Sequence, residues 1–467
     1  MNPRELRATT GLAAIYGVRM AGLFMVLPVF MLHADRIPGA TPFLMGLALG
    51  VYGLTQALLQ IPFGLLSDRV GRKPLILAGL LLFVAGSLVA AVAESIHGII
   101  LGRALQGAGA VAAVVLALTA DLVGEERRMR ALAVIGLTIG LTFTLAMALG
   151  PVVDRVAGLE GIFGLSAVLG VVAIAILYLW VPRPARTRSH PDMVPVWSAL
   201  PGVLRAPDLL RLNLGIFVLH VVLAANFLVI PVLLLESVEL PAASHWQFYV
   251  PVLLAGFVLM LPGIIFGERR QRVHSVLRVA IALLAGVQVL LALLVPGGGG
   301  LWWLAGLMIL FFAAFNLLEA GLPSLVARAA PVAHKGSAMG GFATAQFLGI
   351  FVGGVLGGAV LAVAGPVGVF LAGVPLLLIW WWVARDLQPR YGSNRVVAVP
   401  AHWSGREADL LQWILAQPGI HEADLSPDAR SLYLKVARQG PDAHELAAWL
   451  AQRPYEHQGE RGGSTPG

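Results

Sequence analysis

Cysteine is absent from all 467 residues, which excludes a disulfide framework and any thiolate metal site. Charge is scarce. Only 12% of residues are charged while 58% are hydrophobic, far from the balance of a soluble chain of this length. No Gly-x4-Gly-Lys-Ser/Thr stretch occurs to cradle a nucleotide's phosphates, so ATP-driven transport is not expected and no enzyme reading is retained. His402, His421 and His444 are not spaced as a recognisable metal site. No metal and no cofactor is expected. The first residues carry Arg4, Glu5 and Arg7 and run into an apolar stretch without a small-residue cleavage site, which reads as a retained first helix rather than a cleaved signal.

What is present is apolar sequence in blocks. Twelve runs approach the roughly 20 residues that span a bilayer. They cover about 11–33, 43–66, 74–93, 98–121, 131–153, 161–181, 212–235, 246–266, 276–296, 301–325, 337–362 and 366–384. This predicts an all-α membrane protein whose surroundings are the lipid bilayer. The formal charge of +7 follows the loops. One alternate set of loops and flanks holds 21 Arg and Lys, from Arg4 to Arg390, and the other holds only Arg36 and Arg155. Basic loops stay inside, so both termini are expected in the cytoplasm and no nucleic-acid partner is needed.

Six prolines between Pro182 and Arg211 mark a linker, 182–211, between two six-helix halves, 1–181 and 212–390. After Arg390 the pattern changes. Strands are expected at 395–399, 419–425 and 431–437, with helices at 406–417 and 441–452. The βαββα order predicts a small ferredoxin-like α+β domain, 394–455, on the cytoplasmic side and able to meet a ligand or partner there. The Gly/Ser/Pro-rich end, 456–467, is expected to be a flexible tail.

The rare charges carry most of the functional signal. Gly64-Leu65-Leu66-Ser67-Asp68-Arg69-Val70-Gly71-Arg72-Lys73 lies between spans two and three and must form a tight turn. Asp68 sits at a helix C-terminus, where the helix's own dipole end is negative, so it needs a partner elsewhere. Span eleven starts near Gly336 and Ser337 on the same side, and its free amides would accept a carboxylate. Asp121, at the inner end of span four, is expected to pair with Arg72 or Arg69. A charge inside a span costs roughly 2.5–3.5 kcal/mol on insertion scales and is usually paired and interior. Arg19, Arg103 and Glu319 are therefore candidates for function. Arg19 and Glu319, with Asn316 near the latter, are placed at depths compatible with one inner cavity. Glu319 is the first candidate for a titrating or substrate-binding group, and His220 the second.

Gln56, Gln60, Asn226 and Gln346, with Tyr52, Phe143 and Phe227, are expected to line a largely apolar cavity suited to lipophilic cargo. Asp35 and Asp154 are expected to be solvated. Gly136, Gly140, Met147 and Gly150-Pro151 give span five a thin face and a bend, mirrored by the glycines of span eleven across an interface between halves. Trp302, Trp303 and Trp380 to Trp382 read as interfacial anchors.

Residues 64–73 resemble motif A of the major facilitator superfamily. Gly102-Arg103-Ala104-Leu105-Gln106-Gly107-Ala108-Gly109-Ala110 resembles its motif B, and Gly136, Gly140, Gly150 and Pro151 resemble motif C, the antiporter motif. With the appended C-terminal stretch, the chain is similar to a branch of the drug:proton antiporter group whose extra domain is called YAM. The resemblance implies a twelve-helix fold. It implies that Asp68 of motif A latches the halves on the inside when the cavity opens outward, and that Arg103 serves proton coupling. It brings no substrate. The expectation is a monomeric transporter of the inner membrane, exporting a small molecule in exchange for protons. The alternative is a membrane sensor that signals through its C-terminal domain.

Overall fold

In the computed structural model the described residues are 2–183, 205–270, 272–297, 299–330, 335–387, 392–425, 431–437 and 440–451. Most of the expected linker and the expected tail lie outside them. The membrane part comprises α1 (Pro3–Phe24), α2 (Pro42–Val70), α3 (Arg72–Ala91), α4 (Ile96–Ala108), α5 (Ala112–Leu122), α6 (Glu125–Leu179), α7 (Pro207–Glu236), α8 (His245–Arg269), α9 (Val273–Leu294), α10 (Leu301–Ala329) and α11 (Lys335–Val383).

Among the described residues nine helical stretches are long and apolar enough to cross a membrane. Two of them are too long for a single crossing. At 1.5 Å per residue, α6 and α11 would reach roughly 70–80 Å if straight, against a hydrocarbon core of about 30 Å. Each folds back at one glycine, Gly158 (φ 66°, ψ −170°) in α6 and Gly365 (φ 65°, ψ −169°) in α11. That conformation is essentially closed to residues with a Cβ. The two turns therefore mark the same place in each half. Counting α6 and α11 twice, α4 with α5 once, and adding α1, the described residues account for twelve crossings.

Two spans depart from the expected runs. Span one ends as a helix at Phe24 and continues through a 3-10 stretch, Phe30–Arg36. Span four is broken at Gly109 between α4 and α5. A Cβ on Gly107 would collide with the backbone carbonyl of Tyr52, and one on Gly109 with that of Gly79. The close crossing of spans two, three and four thus uses the glycines of the motif B stretch. In span five the backbone remains helical through Pro151, and the interruption falls at Gly158 instead.

The C-terminal domain holds β1 (Gly392–Ala398), α12 (Glu407–Leu415), β2 (Ile420–Leu425), β3 (Ser431–Ala437) and α13 (Ala443–Ala451). Its sheet order is β1-β3-β2, with β3 antiparallel to both neighbours. The crossover from β1 through α12 to β2 leaves a place that β3 fills, which is the split βαβ of a ferredoxin-like sheet. Val397, Leu432, Leu434 and Val436 meet Leu410, Ile414, Leu446 and Leu450 in one small core.

The halves meet away from the 64–73 loop. At that far end, a Cβ on Gly46 would strike the Gly354 carbonyl, one on Gly53 the Phe347 carbonyl, and one on Gly50 would lie 2.7 Å from the Phe351 carbonyl. Spans two and eleven therefore touch backbone to backbone from Pro42 to about Gly53. The 3-10 stretch after span one also contacts α7, and the short turn Ala242–Ser244 contacts α6. The second glycine face of span eleven, Gly349, Gly353 and Gly357, packs on Phe217, Val221 and Ala225 of span seven in its own half. This corrects the expected pairing of thin faces. A Cβ added to Gly136 or Gly140 of span five would meet nothing within 4 Å, and Gly150 packs on Met25 of span one, so span two takes the expected place of span five.

Candidate functional site

The close approach of spans two and eleven stops at mid-depth, where aromatic rings cross the interface. Phe143 of span five stands edge-on to Phe24 at 4.8 Å in its own half. It lies 6.4 Å from Phe227 and 6.0 Å from Phe312 in the other half. Around this plug the two halves present different chemistry.

The first half encloses two cations. Arg19 is 1% exposed and donates through Nη2 to the Tyr52 hydroxyl at 3.1 Å, Gln56 Oε1 at 2.9 Å and the Gln106 carbonyl at 3.3 Å. Arg103 is fully buried and donates to Gln106 Oε1 at 3.0 Å and to the carbonyls of Gly22 and Ala48 at 3.4 Å. It turns into the protein instead of reaching for the far surface. Its guanidinium lies 5.0 Å from the Tyr52 ring centre, a cation–π contact. Gln106 completes the network by donating to Ser87 at 2.8 Å, and Gln56 donates to Gln60 at 3.3 Å. No carboxylate is among these partners. Gln56, Gln60 and Tyr52 are thus packed around the arginines and do not form an open cavity wall. In the other half Asn226 and Phe227 are likewise buried.

The second half holds the acid. Glu319 of span ten accepts from Gln346 Nε2 at 2.9 Å, and its other oxygen lies 3.8 Å from His220 Nε2. Gln346 Nε2 is also 2.9 Å from His220 Nε2, and His220 Nδ1 is 3.1 Å from the Ile216 carbonyl. The Glu319 side chain stays 35% exposed while His220 is nearly covered, but the carboxylate Oε2 is itself buried with no hydrogen-bond partner. Asn316, one turn away, is half-buried and has no bond to it. Arg19 and Glu319 do not meet. Tyr16 of span one lies within electrostatic reach of both.

The 64–73 loop is tighter than a multi-residue turn. Gly71 alone (φ 101°, ψ 148°) separates α2 from α3. Arg72, 3% exposed, pairs with Asp68 at 2.6 Å and with Asp121 at 3.1 Å, and also reaches Ser67. Asp68 is thus ion-paired one helical turn away, across Gly71, and not with the start of span eleven, which corrects the expected partner in this conformation. Lys73 donates to the carbonyls of Leu177 and Val181, placing a cation on the C-terminal end of span six. Gly64 packs on Ala113, and Arg69 is exposed. Glu5 pairs with Arg127 at 2.8 Å and accepts from the Gly124 amide at 3.2 Å. With the Asn2 amide added, these donors hold its carboxyl down at about 2.

Two local arrangements escaped sequence reasoning. Asp154 is not solvated: it meets His33 at 2.6 Å, tying the end of span one to span five. Trp380 is not an anchor: it is 1% exposed and fills the space above Gly215. Trp302 and Trp303, 85% and 72% exposed, do stand at the surface of the far end. Glu5 and Asn2 did carry a readable signal, since an Asn followed three residues later by Glu before an apolar run is a capping box.

The sequence model of the Major Facilitator Superfamily matches residues 12–354. The chain belongs to this superfamily. It is 41% identical to the "Inner membrane transport protein YajR" of Escherichia coli (strain K12) over 97% of this chain and 99% of that protein. It is 27% identical to a "Multidrug resistance protein MdtH" of Cronobacter sakazakii, over 79% of this chain and 92% of that one. Among solved structures, a bacterial homologue of the human lysosomal transporter Spinster shares the fold at a TM-score of 0.68 and 13% identity, covering 83% and 98% of the two chains. As a member of the superfamily the chain is a multi-pass membrane transporter. Its fold is the superfamily's twelve-helix arrangement with a small C-terminal α+β domain.

Proposed function

We propose that the protein is a proton-coupled antiporter of the inner membrane, with both termini in the cytoplasm, that exports a small lipophilic molecule. The single observation that carries this is Glu319: a partly exposed glutamate bonded to Gln346 and near His220, between two halves that touch backbone to backbone at the far end. On this reading the present conformation opens to the cytoplasm. Glu319 takes and gives the proton while the partly exposed rings of Phe24 and Phe143 offer an apolar surface to the cargo. Arg19 and Arg103 keep a fixed positive potential in the first half, which favours the ionised acid when the halves approach. Similarity to a multidrug resistance protein supports the choice of efflux.

Alternation follows from the same parts. When spans two and eleven separate at the far end, the basic-loop ends close, and Asp68 then becomes able to reach the amides at Gly336 and Ser337. Motif A acts as that latch, with Gly64, Arg69 and Lys73 framing the turn, and motif C residues Gly136, Gly140, Gly150 and Pro151 shape span five. The C-terminal unit is the equivalent of a YAM domain and serves regulation. The transporter acts as a monomer.

The test is reconstitution in vesicles with a proton gradient. Wild type is expected to move protons when cargo is added, with a pH-dependent rate, and Glu319→Gln is expected to flatten that dependence and cut coupled flux at least tenfold. An unaltered pH profile in Glu319→Gln removes Glu319 from the mechanism. Binding without any flux in wild type favours a sensor instead.

A further inference from the structure

The membrane-facing surface carries a second concentration of arginine that transport does not use. It lies where spans nine and twelve end beside the basic loops. Arg278 sits one turn into α9 beneath Trp381, its guanidinium 4.3 Å from the ring centre. Arg385, one turn beyond Trp381, lies 4.2 Å from the ring of Trp382. α9 packs against the 3-10 turn Ala384–Asp386, which ties it to the end of span twelve. The two arginines therefore belong to one cluster.

Its charge is incompletely neutralised. Among the described residues Arg278 has no ion pair, and its Nε is buried without an acceptor. Arg385 has Asp386 at 3.5 Å, but both side chains are about half exposed, where such a pair contributes little. Asp208, the nearby acid, is taken by Arg211 at 3.0 Å, and Arg211 also donates to the Asp386 carbonyl. The first turn of α9 has no side-chain cap, so its amides add positive potential on the same side. Trp381 and Trp382 are 36% and 54% exposed, as befits rings at the level of lipid headgroups. Stacking fixes both guanidinium planes and leaves their edges free for phosphate oxygens.

We propose that this cluster binds the headgroup phosphate of an anionic phospholipid, with Arg278 and Arg385 as phosphate ligands and Trp381 and Trp382 against the glycerol and upper acyl chains. The bilayer supplies such a ligand at this depth, and basic pockets between spans are a recurrent means of holding it. The site is separate from the Glu319 cluster, so its failure would leave the transport reading intact.

The experiment is native mass spectrometry of the full chain in neutral detergent, titrated with phosphatidylglycerol, phosphatidylcholine or inorganic phosphate. Wild type is expected to retain phosphatidylglycerol in preference to phosphatidylcholine, with inorganic phosphate unable to displace it at equal concentration. The double variant Arg278→Gln with Arg385→Gln should weaken phosphatidylglycerol retention by about 30-fold. Arg69→Gln, at an exposed base elsewhere, should not. Should the double variant fail to fold, Arg278→Lys keeps the charge, loses the stacked plane and should show a smaller weakening. Equal retention of both lipids, displacement by inorganic phosphate, or unchanged retention in the arginine variants would each overturn the proposal.

Discussion

The two ends of the membrane part are held by opposite means. At the far end the halves touch each other, through backbone contacts between Gly46, Gly50 and Gly53 on span two and Phe347, Phe351 and Gly354 on span eleven. The side-chain bonds described at the basic-loop end stay within one half: Arg72 with Asp68 and Asp121, Lys73 with span six, Glu5 with Arg127, and Arg211 with Asp208. Ion pairs of this kind brace each half as a body. Glycine contact closes an interface without hydrogen bonds that must be broken to open it again. A transporter that rocks needs both: stiff halves, and a seam whose closed and open forms differ by little.

That contrast can be broken at several points, and the largest effect is expected at Arg72. Arg72→Gln strands Asp121, whose side chain is 2% exposed, and removing one partner of a buried pair costs about 3–5 kcal/mol. The denaturation midpoint of the purified protein should fall sharply, and Arg72→Met combined with Asp121→Leu should recover much of the loss. A single variant as stable as wild type would mean that the first half is not braced by this pair.

Gly354→Val acts on the seam instead. The added branches meet the Gly46 carbonyl, and overpacking of this kind costs about 1–3 kcal/mol, or roughly 5- to 150-fold in the balance of states. The chain has no cysteine, so one introduced at Gln346 can report. It should become reactive to an impermeant thiol reagent from the Trp302 side. Unchanged labelling would show that the seam is looser than its contacts indicate.

Asp68→Asn should spare the present conformation, because the carboxylate is partly exposed and Arg72 keeps Asp121. It should weaken the alternate one by about 0.3–2 kcal/mol, the usual range for a charge at a helix terminus. In the Gly354→Val background, labelling from the Trp302 side should then decline; if it holds constant, the latch role of Asp68 is lost.

The smallest effect concerns pH. Glu5 is held down at about 2, against 4.5 for a free glutamate, so it stabilises the fold fully above about 4.5. That contribution is lost as the pH falls from there toward 2. Thermal midpoints between pH 5 and pH 2 should drop less steeply in Glu5→Gln than in wild type, and parallel curves would contradict the assignment.

Much of the fold is legible from local pattern. Apolar runs of sufficient length must cross a membrane, and the alternation in the last domain marks its strands and helices within a few residues. The glycine-arginine spacing of the 64–73 loop reads as a turn because only Gly71 can adopt its φ. The site is less legible. Helices apolar on every side do not reveal which face meets a neighbour. The thin face of span five therefore has a different partner from the expected one, and Gln56 and Gln60 are packed around arginines where a cavity wall is expected. Trp380 looked like its two neighbours because three successive aromatics carry no mark of which one points inward.

Sequence alone determined that the chain crosses the membrane repeatedly and carries one acid deep within a span, because both follow from the cost of burying polar groups in hydrocarbon. Tertiary structure decided which polar groups meet. It enclosed Arg19 and Arg103 among Tyr52, Gln56 and Gln106, joined Glu319 to Gln346 beside His220, and gave Asp68 to Arg72. Those outcomes depend on how helices rotate and approach. That is set by glycine contacts between residues some 300 positions apart, such as Gly46 with Gly354, and no local pattern encodes it.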